Sequence, residues 1–181
     1  MENLNIGQHI SRRYNEELED IRNRVLAMGG VVEQQLTDAM KALEAQDGGL
    51  AEQVVQNDLQ VNAMEVAIDE ECNLVLARRQ PAASDLRLIV AVIKTITDLE
   101  RIGDEAERIA LMATDLVSEE RVAKLFTQIH HLGLHSRSML RGALDAFAHL
   151  DTEKAVAVWS EDRVIDQEYE ALLRELMTYM M

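Results

Sequence analysis

The chain has 181 residues, 48% of them apolar, enough for one large domain or two small ones with a true core. Only 3% are aromatic, which disfavours β-sandwiches and base-stacking platforms, and a net charge of −15 repels phosphate backbones and excludes nucleic acid as a natural partner. The single Cys72 rules out an internal disulfide framework, and no signal-peptide core or bilayer-length apolar run is visible, so the expected location is cytoplasmic.

Residues 1–9 read as a loose tail. From Ile10 apolar residues recur every three or four positions through Tyr14, Val25, Val32, Leu36 and Leu43, the signature of one long helix. The phase survives Gly29-Gly30, a weak or bent point. Asp47-Gly48-Gly49 is a turn that caps a second helix, which carries Leu50, Val54, Val61, Ile68, Cys72 and Val75 on one side. The only proline, Pro81, closes it. Ser84 is a good N-cap for a third helix with its stripe at Leu86, Ile89, Ile93 and Ile96. A fourth helix runs through Leu125, Ile129 and Leu140 to Phe147. A fifth follows the capped turn Asp151-Thr152-Glu153 and carries Val156, Ile165, Leu172 and Leu176. Short connections between long helices imply antiparallel neighbours.

The second part copies the first at an offset of 104 residues. Leu36 meets Leu140, Ala39 meets Ala143, Ala42 meets Ala146 and Asp47 meets Asp151. Ala51 meets Ala155, Val54 meets Val158 and Asp58 meets Asp162. Core, capping and polar positions align together, which is a specific repeat signal. The expected fold is all-α: two tandem repeats of a long antiparallel three-helix bundle, residues 1–116 and 117–181. Met181 corresponds to Ala77, so the second bundle lacks its third helix. That leaves an apolar face for a second copy to cover, as a homodimer.

Carried past Ile96, the stripe of the third helix meets Glu100, Asp104 and Glu107, three carboxylates within an arc of about 60°. Acids on a face that should be buried require a partner, a cation or water. The ion pairs available at i,i+4 are Lys94–Asp98, Arg101–Glu105 and Asp104–Arg108. The second helix has its own polar row, Asp58, Asn62, Glu65 and Asp69. Folding the two helices about Pro81 brings Glu65 level with residue 98 and Asp58 level with about residue 105. The candidate ligands are therefore Glu100, Asp104, Glu65, Asp69 and Asp58. Such a set suits a divalent cation such as Mg, Mn, Fe, Zn or Ca. A solvated acidic groove is the other reading of the same spacing.

His131 and His135 have i,i+4 metal-ligand spacing but no glutamate between them, and read as surface residues. No phosphate-cradling glycine loop, G-x-S-x-G or Glu-x-x-His is present. The chain therefore reads as a non-enzyme. The alternative is a carboxylate-metal hydrolase or oxidase built on Glu65, Glu100 and Asp104.

Leu99-Glu-Arg-Ile-Gly-Asp104, Arg79-Gln-Pro-Ala-Ala-Ser-Asp-Leu-Arg87 and Met64-Glu-Val-Ala-Ile-Asp-Glu-Glu-Cys72 together resemble the PhoU family. Asp166-Gln-Glu-Tyr-Glu170 and Ala27-Met-Gly-Gly30 fit the same resemblance, which covers essentially the whole chain. It implies six helices in two similar bundles and a non-enzymatic role, damping phosphate-starvation signalling and controlling phosphate uptake. The implied partners are the sensor histidine kinase of the phosphate response and the ATP-binding subunit of the phosphate transporter, with the membrane reached only through them. It also implies metal binding through E(D)-x-x-x-D motifs, which Glu100–Asp104 and Glu65–Asp69 match; the early stop leaves the second such block out.

Overall fold

Apolar spacing of three and four residues carries the chain into five helices among the described residues. The structure, a computed structural model, describes residues 4–115 and 123–181, with side chains for 12–113 and 127–181. They are α1 (Leu4–Ala45), α2 (Gly48–Arg79), α3 (Ala83–Asp115), α4 (Ala123–His149) and α5 (Thr152–Met180). None of them is long and apolar enough to cross a membrane. Helix α1 starts at Leu4, so residues 4–9 are helical and not a loose tail: extending a formed helix costs little once it is nucleated. It runs through Gly29 and Gly30 without a break. The side chains of Ile10 and Leu125, and the 116/117 boundary between repeats, lie outside the described residues.

The turns follow from side-chain chemistry. Asp47 Oδ1 accepts the backbone N–H groups of Gly49 at 3.0 Å and Leu50 at 3.1 Å, capping α2. Asp151 Oδ1 does the same for Lys154 at 2.9 Å at the start of α5. The residues before them, Gln46 and Leu150, have φ of 51° and 53°. Asp47 N–H reaches back to Ala42 O and Asp151 N–H to Ala146 O. The two turns, 104 residues apart, are thus built alike. At the α2–α3 turn Ser84 is not the cap: α3 already includes Ala83, and the Ser84 hydroxyl turns to Asp85 at 3.2 Å. Gln80 precedes Pro81 at φ 47°, where a Cβ is strained. Gln80→Gly is expected to raise stability by about 1 kcal/mol, read as a higher urea midpoint at unchanged slope.

The residues form two compact units. The first is Met1–Val32 with Leu59–Ile102, the second Glu33–Asp58 with Gly103–Met181. Segments of α1, α2 and α3 belong to both.

In the first unit Ile21, Val25, Met28, Val61, Ile68, Cys72, Ile89 and Ile96 are fully buried. Burial pushes the Cys72 thiol up to about 11, which keeps it an inert packing group. Arg79 closes a two-pronged ion pair on Glu17 at 2.6 and 2.9 Å, fastening α2 to α1. That bond holds the Glu17 carboxyl below its ordinary value. Its stabilisation is present above the ordinary value and is lost as pH falls through the lowered one. The buried line of α3 differs from the expected stripe. It runs through Ile89, Val92, Ile96 and Leu99, while Leu86 is 42% exposed and Ile93 half-buried.

In the second unit α3 continues that line with small residues. Ala106, Ala110 and Ala113 pack against Leu36, Ala39, Ala42 and Leu43 of α1 and Ala51 and Val54 of α2. Helices α4 and α5 pair in antiparallel fashion. Gln128 bonds Glu175 at 2.7 Å, His135 bonds Glu168 at 3.1 Å and Lys154 bonds Asp145 at 3.1 Å, so partners descend one helix as they climb the other.

Candidate functional site

Because α3 buries its small residues, its carboxylates flank the buried line and do not continue it. Gly103 and Ala106 are buried, whereas Asp104 and Glu107 are half-buried beside them. The i,i+4 pairing of Asp104 with Arg108 does not form; Arg108 turns to Glu105 at 2.6 Å instead. Asp104 faces α2. There Asp58, 5% exposed, joins Asp104 and Glu107, with one oxygen from each within 4.8 Å of the others. Among the described residues this is the one group of three or more potential ligands that approach so closely.

Gln35 of α1 completes the surroundings. It is 1% exposed, and its Nε2 donates to Asp58 Oδ1 at 3.1 Å and to Gly103 O at 3.3 Å. One amide thus ties three helices at the height of the acids. Its Oε1 is buried with no hydrogen-bond partner. An amide oxygen and three carboxylates are ligands that hard cations take.

Desolvation raises the Glu107 carboxyl above its ordinary 4.5, and the charges of Asp58 and Asp104 add to this, while Arg108 opposes it. The unfolded chain therefore gives up this proton first. Stability is unaffected below the ordinary value, falls as pH rises toward the raised one, and stays lower above it. Glu107→Gln is expected to raise the melting midpoint at about pH 7 and to change little at about pH 4. Glu17→Gln should show the reverse, a loss at neutral pH that fades in acid.

The residues singled out in the sequence are distributed as follows. Asp58 and Asp104 come together. Glu65, Asp69 and Glu100 belong to the other unit: Glu65 accepts from the Thr97 hydroxyl at 3.2 Å, and Asp69 accepts from Asn73 at 2.9 Å. Glu107 lies on the acidic arc of the sequence but outside the five ligands expected from it. Gln35 was missed. Its signal was a polar residue on the apolar phase of the first helix, at a position where the second copy has Met139.

A second feature lies between α4 and α5. A cavity of about 360 Å³ is lined by Ala143, Ala146, Phe147, Leu150, Ala155 and Val158, with Asp151 and Thr152 at one end. Shifted back by 104, its apolar wall becomes Ala39, Ala42, Leu43, Ala51 and Val54, the residues that Ala106, Ala110 and Ala113 of α3 cover. Trp159, next to the lining residue Val158, is exposed, as are Tyr169, Leu173, Met177 and Met180 farther along α5.

Long helices bundled around an apolar core, with carboxylates gathered at the meeting of three of them, define an all-helical bundle protein among the described residues. The PhoU domain family matches residues 25–113 and 129–181. The phosphate-specific transport system accessory protein PhoU of Edwardsiella tarda is 51% identical over 181 residues, all of this chain and 74% of that protein. The protein of the same description from Escherichia coli K12 is 50% identical, over all of this chain and 75% of its own length. The crystal structure of PhoU from Pseudomonas aeruginosa superposes with a TM-score of 0.89 at 51% identity, covering 93% of this chain and 80% of that one. The phosphate transport system regulatory protein PhoU of Streptococcus pneumoniae gives 0.81 at 32% identity, covering 92% and 78%. The chain belongs to the PhoU family.

Proposed function

We propose that this chain is a regulatory accessory of phosphate uptake. It would act by binding the sensor histidine kinase of the phosphate response and the ATP-binding subunit of the phosphate transporter, and would restrain the starvation response. The observation that carries this reading is identity of 50–51% across the whole chain to proteins described as phosphate-specific transport accessories. Long exposed helical faces suit such binding. Tagged protein expressed in cells should capture both partners. Capture of neither, by a chain that is folded and where a longer relative captures both, would overturn the reading.

The acidic cluster is read as a divalent-cation site of Asp58, Asp104 and Glu107, with Gln35 Oε1 nearby. A bound cation would relieve the repulsion that raises Glu107. Mg, Mn, Fe and Zn are the candidates. The groove between α4 and α5 is the surface through which two copies would associate. A light-scattering mass that stays at one chain across micromolar concentrations would refute that dimer.

A further inference from the structure

Helices α1 and α4 approach closely at Gly133, where a Cβ would stand 2.6 Å from Met40 Cε. Beside this contact is a cavity of about 140 Å³. Thr37, Met40 and Lys41 of α1 line it, with His130 and Arg137 of α4. Two permanent cations, an imidazole and a hydroxyl thus share one small cavity whose wall contains no carboxylate, in a chain with 33 acidic residues.

The partners of these groups are unequal. Lys41 Nζ is 3.0 Å from Asp38 Oδ1. His130 Nδ1 is buried, lies 3.4 Å from Glu44 Oε2 and makes no hydrogen bond. Arg137 is half-buried, and no carboxylate of the described residues pairs with it. Among the described residues its one hydrogen bond is a long one, Nη1 to Thr37 Oγ1 at 3.4 Å. The Thr37 hydroxyl itself donates to Glu33 O at 2.8 Å. A guanidinium is built for two parallel bonds to an oxyanion, and a single stretched bond to a hydroxyl satisfies little of it.

We propose that this α1–α4 pocket is an oxyanion site that takes inorganic phosphate. Arg137 supplies the forked donor, Lys41 the second charge, and His130 Nδ1 a further polar contact. The volume admits one tetrahedral anion and excludes a nucleotide, which needs a cavity several times larger. The net charge of −15 does not forbid entry, because at physiological salt exposed charges farther than about 8 Å are screened. Thr37 Oγ1, which lines the pocket and gives its own proton to Glu33 O, can accept the O–H of a protonated phosphate. Sulfate has no such proton, so phosphate is preferred. The sequence shows none of this, because the ligands come from two helices about 100 residues apart and form no local motif.

The proposal stands on the pocket alone, whether or not the chain captures a kinase or a transporter subunit. The test is calorimetric titration of the whole chain with sodium phosphate in a chloride buffer at neutral pH, repeated with sulfate. One phosphate per chain is expected, with sulfate at least tenfold weaker. Arg137→Met and Lys41→Met should each weaken phosphate tenfold or more, while Arg137→Lys falls between. Melting curves check that the variants fold, and Arg163→Met, which removes a cation from the exposed surface of α5 outside this pocket, should bind as the parent does. No saturable binding would overturn the proposal. So would equal affinity in the folded Arg137 and Lys41 variants, or sulfate as strong as phosphate.

Discussion

Ala39→Leu is expected to destabilise the protein by about 3 kcal/mol, at the upper end of the range for overpacking, whereas Ala143→Leu should stay within about 0.5 kcal/mol of the parent. The two alanines are equivalent positions in the two copies. Ala39 is 0% exposed and lies among Leu36, Ala42, Ala51 and Val54 under the small residues of α3. Three extra carbons there must displace Ala106 or Ala110, and with them a helix. Ala143 lines the open groove, where the same side chain has room. For a chain of this size the loss at Ala39 corresponds to a fall in midpoint of roughly 6–12 °C. Thermal or urea melts of the two variants read the contrast directly. Equal losses would mean that the second groove is covered in solution. Should the groove be where two copies meet, Ala143→Leu would also shift the concentration dependence of the parent's melting.

Asp58→Asn is expected to abolish divalent-cation binding and at the same time to stabilise the cation-free protein. Asparagine keeps an oxygen that can accept from Gln35 Nε2, now 3.1 Å from Asp58, and removes one of three charges whose oxygens crowd within 4.8 Å. With manganese at about a hundred times its dissociation constant, the parent should gain about 2.7 kcal/mol, and Asp58→Asn essentially nothing. Glu107→Gln and Asp104→Asn should behave alike. Glu65→Gln is the control, since Glu65 is bonded to Thr97 and belongs to the other unit. Heat lost equally in Glu65→Gln would restore the larger ligand set read from the sequence. Absence of any heat in the parent, with magnesium, manganese, iron(II) or zinc, would leave a solvated acidic groove.

The two variants probe different kinds of information. The caps at Asp47 and Asp151 were legible because an aspartate that precedes a helix has one strong local use, and both side chains accept the expected N–H groups. The antiparallel register about Pro81 was legible because the turn is short: Glu65 meets Thr97 and Asp58 meets Asp104. The azimuth of α3 was not. Large aliphatics at Leu86 and Ile93 drew the expected stripe to one side, and the alanines that carry the buried line register weakly on any hydrophobic scale. Gln35 went unnoticed for a related reason: a polar residue within a stripe is visible, but the acceptors that make it acceptable lie on other helices.

Local spacing alone determined that the described residues are helical and where α2 and α5 begin, because each depends on interactions within a few residues. Which face of α3 is buried, which acids therefore meet, and which of two near-identical grooves is filled were decided only by tertiary packing. A helical period places a side chain on the circumference, but a neighbouring helix must occupy one side before that position becomes core, ligand or open surface.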